Sequence, residues 1–199
     1  MKETVAQHED WAIGYQDETW WSRLTHPNLH AWTIQKPLRL VEQRREKEDT
    51  EPKAFACYGI DLRWAQEEEV WLRFVEGNPK SEPTIRFLGW VVKRAWEKGI
   101  RVLVMVWDNA SWHKSKMVWE WIHKHNQEVK RRGQGTRLLA FLLPVKSPWL
   151  NPIEPKWVHA KRRVTEPARK LTVEEMAERV CEVFQHPVLP WLSNPKNQD

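Results

Sequence analysis

The chain has 199 residues, 41% of them hydrophobic and 30% charged, with a formal net charge of +5 and a pI near 9.2. That length and balance suit one globular domain with a real core, and they exclude a disordered or fibrous chain. The longest apolar runs, "VLVMVW" and "LLAFLLPV", are too short to cross a bilayer, and "MKETVAQHED" has no apolar signal region, so a cytoplasmic protein is expected.

The elements are predicted in chain order. "WAIGYQDE" (11–18) reads as a strand ending in acids, and "HAWTIQKPLRLVE" (30–42) as a second extended segment broken by Pro37. "EQRREKEDTEP" (42–52) reads as a charged, solvated loop. "KAFACYGIDLR" (53–63) and "VWLRFVEG" (70–77) are further strands, the latter closed by the turn signal Gly77-Asn78-Pro79. The period then changes. From Ser81 to Lys98, Ile85, Leu88, Val92 and Ala95 share one helical face, and Gly99 is a natural stop. "IRVLVMVWD" (100–108) reads as a strand buried on both faces. A helix over 114–132 places Val118, Trp121, Ile122, His125 and Val129 together. "RLLAFLLP" (137–144) is expected to be another buried strand. Thr172 and Glu175 make a capping box before a helix whose apolar face is Val173, Met176, Ala177, Val180 and Phe184. Strands first, then β-α-β units, predict an α/β fold: a mixed sheet with helices on its faces. The expected organisation is one domain over 1–199, with a core of about 11–165 and a C-terminal helical extension over 166–199.

Cys57 and Cys181 lie far apart, form no ligand-spaced motif, and read as free thiols in a reducing compartment. Fifteen tryptophans are spread evenly, which favours packing over base stacking for most of them.

The chemistry concentrates in three acids. Asp17 and Asp108 each close an apolar strand, where an unpaired charge is costly unless it binds a partner or a metal. Each could instead cap the turn that follows. Glu154 is the single acid in the basic stretch from Val129 to Thr165. In "SPWLNPIEPKW" it could serve as the N3 partner of an Asn151 capping box, with Pro152 opening the helix, or as a metal ligand. Three carboxylates at one sheet edge could share two Mg²⁺ ions, the arrangement that activates an attacking oxygen and steadies a leaving oxygen at phosphorus. Two basic clusters, Lys130, Arg131 and Arg132, and Lys161, Arg162 and Arg163, would then hold a DNA backbone.

"YQDETWW", "VWDNASWHKS" and "LLPVKSPWLNPIEPKWVHAKRRV" resemble the three signature blocks of DDE transposases. The likeness is nearest to the bacterial insertion-sequence branch of the mariner superfamily. The third block is the most specific and the first the least. The resemblance runs from about Trp11 to Val164. It implies an RNase H-like fold, two divalent ions (Mg²⁺ or Mn²⁺), and cleavage and strand transfer at element ends. By matching position the catalytic, metal-binding acids are Asp17, Asp108 and Glu154, with Asp17 taken over Glu18. Asn109, His113 and Asn151 are supporting residues. Implied partners are DNA and a second copy of the chain, on a bacterial nucleoid. Relatives carry helix-turn-helix modules ahead of the catalytic domain. The sequence is therefore expected to be the catalytic part alone, with sequence recognition supplied by a separately encoded segment. Two other readings stay open: an inactive remnant that folds or binds DNA without selecting sequence, and another RNase H-like nuclease.

Overall fold

A computed structural model describes residues 5, 7–23, 30–31, 38–39, 47–145, 147–164, 166 and 169–192. Its strands are β1 (Trp11–Ser22), β2 (His30–Ala31), β3 (Leu38–Arg39), β4 (Ala54–Trp64), β5 (Glu67–Val75), β6 (Val102–Trp107) and β7 (Arg137–Leu142). The helices are α1 (Ser81–Glu97), α2 (Lys116–Arg132), α3 (Ile153–Val164) and α4 (Val173–Val183). The expected extended segment over 30–42 lies mostly outside the described residues. What is described there is the short antiparallel pair β2–β3.

The main sheet has the order β5-β4-β1-β6-β7. Strand β4 is antiparallel to both of its neighbours, β5 and β1, while β6 and β7 run parallel to β1. This follows from the connections. The short link between β4 and β5 permits a hairpin, whereas α1 and α2 are the crossovers that parallel neighbours require. Alternation along the strands sends two sets of side chains to two faces. Tyr58, Ile60, Leu62, Leu103, Met105 and Trp107 meet Phe87, Leu88 and Val91 of α1 and Val118 and Ile122 of α2. On the opposite face Trp21, Phe55, Cys57, Leu72 and Phe74 meet Ile153, Trp157 and Ala160 of α3 and Met176, Ala177 and Val180 of α4. The result is an RNase H-like mixed sheet with helices on both faces. Trp21, Trp71, Trp107 and Trp157 are core residues, and both cysteines are buried free thiols. Among the described residues no helix is long and apolar enough to cross a membrane.

The helix boundaries have local causes. Ser115 caps α2 by accepting from the Val118 N–H, and Gly133 ends it at φ 66, a left-handed conformation that glycine adopts without strain. The Thr172–Glu175 capping box opens α4 as expected.

Three expectations need correction. Strand β1 does not end at its acids. It continues to Ser22 because its second half stays paired with β4, from Asp17 opposite Gly59 to Ser22 opposite Ala54. Strand β7 is an edge strand: Phe141 is 44% and Leu142 39% exposed, since an apolar run cannot tell a central strand from an edge. The core face of α1 is rotated toward Phe87 and Val91, with Ile85 only partly buried.

Helix α3 lies unusually close to the sheet. A Cβ on Gly59 would sit 2.3 Å from the Trp157 ring, so the absence of a side chain there lets the indole pack onto β4. Lys156 fastens the same helix to the sheet, its Nζ 2.9 Å from buried Asp61 and 2.6 Å from Glu68.

Candidate active site

Strands β1 and β6 are parallel neighbours, with Tyr15 opposite Val106. Two residues further on, the two chains carry Asp17 and Asp108. Both therefore stand at the end of the sheet where β6 stops.

Asp108 is half exposed. Its Oδ1 accepts from the Ala110 N–H at 2.9 Å and lies 2.8 Å from His113 Nδ1. The His113 bond, outweighing burial, holds the Asp108 carboxyl below its usual range. His113 is fully buried, stacked on Trp107 at 4.6 Å with the rings 9° apart. Its Nε2 lies 3.0 Å from Glu18 Oε1. Burial alone would push this imidazole down, but bonds to Asp108 and Glu18 outweigh it and raise the pKa to about 9. The imidazolium thus donates both N–H groups and links two carboxylates. Glu18 Oε1 also accepts from Gln16 Nε2 at 3.0 Å and Trp112 Nε1 at 3.3 Å.

Asp17 faces the side of the sheet opposite to its neighbour Glu18, under α3. It is 8% exposed, and its Oδ2 accepts from Trp157 Nε1 at 2.9 Å. Burial, then the negative charges of Glu154 and Glu18, raise its pKa to about 8, so it holds its proton at neutral pH. Glu154, in the first turn of α3, is raised by burial and by the charge of Asp108. Glu154 is therefore coupled electrostatically to each of the two aspartates. Lys161 lies on the same face of α3 as Glu154 and Trp157, two turns further along. Burial lowers its pKa, against the opposing charges of Asp17 and Glu154.

Asn151 is buried, but its side chain does not cap α3, which corrects the capping-box expectation. Its Nδ2 donates to the Gln16 carbonyl of β1 at 3.1 Å, while only its backbone carbonyl accepts from the Glu154 N–H, at 3.2 Å. Asn151 Oδ1 is buried without a hydrogen-bond partner among the described residues. Asn109 Nδ2 donates to the Leu143 carbonyl at 2.5 Å, tying the turn after β6 to the segment after β7. Asp108, Asn109, Ser147, Asn151 and Glu154 line a cavity of about 330 Å³.

The two basic clusters separate. Lys130, Arg131 and Arg132 end α2, whose start adjoins Asp108. Seventeen helical residues span about 25 Å, so this cluster sits at the far end of the sheet. Arg131 and Arg132 there pair with Glu128. In the other cluster Lys161 turns toward the acids, while Arg162 and Arg163 are exposed.

The bond from Glu18, set aside in favour of Asp17 in the sequence, to His113, the role of Trp157 and the inward turn of Lys161 emerge only from the structure. Helical spacing carries a signal for the last two, since positions 154, 157 and 161 share one face. Oxygen donors that repel one another suit a divalent cation. Even so, among the described residues no group of three or more His, Cys, Asp or Glu side chains is arranged so that it could hold a metal ion.

The raised groups set a pH dependence. Asp17 binds its proton more tightly folded than unfolded, so its stabilising contribution is complete below its ordinary 3.8 and is lost as pH rises toward about 8. His113 adds stability that is complete below 6.5 and lost as pH rises through about 9. Urea denaturation should therefore show stability falling between about pH 5 and about pH 8.5, and Asp17→Asn should fall less than the parent.

The DDE superfamily endonuclease family model matches residues 42–177, a span that holds Asp108 and Glu154 and begins after Asp17. No curated protein matches the sequence. Among solved structures the chain is similar to the Mos1 transposase paired-end complex with left transposon end, at 13% identity and a TM-score of 0.60. That match covers 90% of this chain and 49% of the other. The Mos1 mariner paired end complex with Mn gives 14% identity and 0.56, covering 89% and 48%. The catalytic domain of Mos1 mariner transposase gives 13% and 0.52, covering 90% and 72%. The chain thus spans about half the length of the transposase chains in the paired-end complexes. At these identities the structures establish a shared fold, and the family match, over more than half of the chain, establishes that this protein belongs to the DDE superfamily endonuclease family.

Proposed function

We propose that this chain is a DNA-transposase catalytic domain whose three acids form a latent centre, drawn together when a divalent cation binds. The observation that carries the reading is the placement of Asp17 and Asp108 in step on adjacent parallel strands, with Glu154 coupled in charge to each. Mg²⁺ or Mn²⁺ held by these residues would supply Lewis-acid activation of oxygen at phosphorus. The chain's own residues do the remaining work. Asp17 must give up its proton to become a ligand. His113 fixes the Asp108 carboxylate by bonding one oxygen and leaves the other for coordination. Asn151, its Oδ1 buried without a partner among the described residues, lines the cavity beside Glu154, and Lys161 offers positive charge beside the same acids. Water attacking phosphorus would break the bond to the 3′ oxygen and free a 3′-hydroxyl, which could then attack a target phosphodiester, forming a new phosphodiester as the target strand's own 3′ oxygen leaves. Two of the similar structures are Mos1 paired-end complexes, and by analogy two copies would act on two DNA ends, on the nucleoid of a bacterial cytoplasm.

A second reading has its own observation. Among the described residues no three ligating side chains are preassembled, and Asp17, its pKa raised to about 8, accepts a bond from Trp157. As it stands, this arrangement fits a family member that binds DNA through Arg162 and Arg163 without cutting it, and fits it better than a ready catalyst. Supercoiled plasmid incubated with the chain, with Mn²⁺ and with excess chelator, separates the two. Metal-dependent nicking supports the latent centre, whereas binding without nicking at any metal concentration supports the second reading.

A further inference from the structure

The outer edge of β7 is covered along part of its length and open along the rest. The Arg137 N–H donates to the Arg101 carbonyl and the Leu143 N–H to the Trp107 carbonyl, both at 2.8 Å. Odd-numbered residues of this strand therefore turn their backbone groups toward β6, and even-numbered residues turn theirs outward. Side chains of α2 cover the first outward groups. His125 Nε2 donates to the Thr136 carbonyl at 2.8 Å. Asn126 Nδ2 donates to the Leu138 carbonyl and Asn126 Oδ1 accepts from the Leu138 N–H, both at 2.8 Å. The outward groups of Ala140 and Leu142 make no hydrogen bond among the described residues. At the next outward position Pro144 has no N–H to offer.

The open stretch is apolar. Phe141 and Leu142 are exposed, Ala140 is partly so, and Val145 just beyond is 71% exposed. From Leu139 to Leu143 there is no charge, proline or bulge, the devices that keep sheet edges from pairing. Such an edge takes another strand.

Its own symmetry says which one. A two-fold axis at Phe141 sets Ala140 opposite Leu142 of the partner subunit and Leu142 opposite Ala140 of the partner subunit, each pair exchanging both N–H···O bonds. Centring the axis on Ala140 would set Leu142 against Leu138, whose groups Asn126 already holds. Centring it on Leu142 would set Ala140 against Pro144. With the axis at Phe141, Arg137 falls opposite Val145 of the partner subunit, so no like charges meet. The two phenylalanines face each other in a non-hydrogen-bonded pair, where side chains approach most closely.

We propose that two copies of this chain join edge to edge, β7 antiparallel to β7 about Phe141. The two five-stranded sheets become one. With strands about 4.8 Å apart and a rise of about 3.3 Å per residue, the two Asp108 Cα atoms stand about 20 Å apart.

Light scattering of the full chain from micromolar to about millimolar concentration, with disulfide trapping, tests this. The mass should rise from 23.9 kDa toward twice that value. Phe141→Lys places like charges opposite each other at the axis, and Ala140→Pro removes an outward N–H. Both should remain monomeric with unchanged circular dichroism. Phe141→Cys should form an intermolecular disulfide at least about ten times faster than Val145→Cys, because a non-hydrogen-bonded pair about 4.5 Å apart at Cα suits the bond. Cys57 and Cys181 are buried and do not compete. Asp108→Asn should dimerise as the parent does, so failure of the acid centre is distinguishable from failure of this interface. A chain that stays monomeric throughout, even one that captures an extended segment of another protein, overturns the proposal. So does a dimer unaffected by Phe141→Lys and Ala140→Pro, or equal trapping at positions 141 and 145.

Discussion

Asp108→Asn is expected to reduce metal-dependent plasmid nicking by about a thousandfold or more, because a metal ligand contributes several kcal/mol to stabilising charge in the transition state. The substitution is nearly isosteric. Asparagine keeps an Oδ1 that can accept from the Ala110 N–H and from His113, the two bonds that Asp108 makes. It loses the negative charge and one anionic oxygen. The fold should therefore survive, seen as an unchanged circular dichroism spectrum. The His113 resonance should titrate at lower pH, since one of its two carboxylate partners is gone. Nicking that persists at the parent rate would remove Asp108 from the mechanism.

The second large effect is on stability. Trp157→Ala is expected to cost about 3–5 kcal/mol in urea denaturation, the usual range for deleting a large buried aromatic side chain. Trp157 is 3% exposed. It packs edge-on against Trp21 at 6.2 Å and Phe184 at 5.4 Å, and it covers the bare backbone of Gly59. A loss of that size is a large part of a domain's total stability. Trp157→Phe keeps most of the packing but removes the donor to Asp17, leaving a buried oxygen unmatched at a cost of about 1–3 kcal/mol. Because the indole bond lowers the Asp17 pKa, its removal should make Asp17 hold its proton more tightly. Gly59→Ala pushes on the same ring from the other side and should destabilise by about 1–3 kcal/mol. If Trp157→Ala changes stability by only a few tenths of a kcal/mol, α3 is not anchored as described.

Much of this architecture is legible from periodicity. The switch from alternation to helical spacing after Gly77 marks where the antiparallel strands give way to β-α-β units, and the caps at Gly99, Thr172 and Glu175 stand where local chemistry puts them. What periodicity cannot give is strand order. An apolar run such as "RLLAFLLP" has the same pattern in the middle of a sheet as at its edge, and only the pairing partner decides. The same limit applies to Asp17, whose strand outlasts its acids because β4 continues beside it. At the site, residue type and spacing single out Asp17, Asp108 and Glu154. The interactions that tune them are long-range: Trp157 reaches Asp17 across 140 positions of sequence, and His113 reaches Glu18 across 95. Asn151 illustrates the competition. Its local sequence favours a helix cap, yet its amide bonds the Gln16 backbone instead, because tertiary packing sets α3 against β1.

The central claim is that Asp17, Asp108 and Glu154 together form one cation site. Calorimetric titration of Mn²⁺ into the chain near pH 7, in two buffers of different ionisation enthalpy, measures binding and proton release together. The account predicts binding with release of about one proton, because Asp17 must ionise to coordinate. Asp17→Asn should bind more weakly with no release, and Asp108→Asn and Glu154→Gln should each lose most of the affinity. No binding at millimolar Mn²⁺, or equal binding by the parent and all three variants, would contradict it.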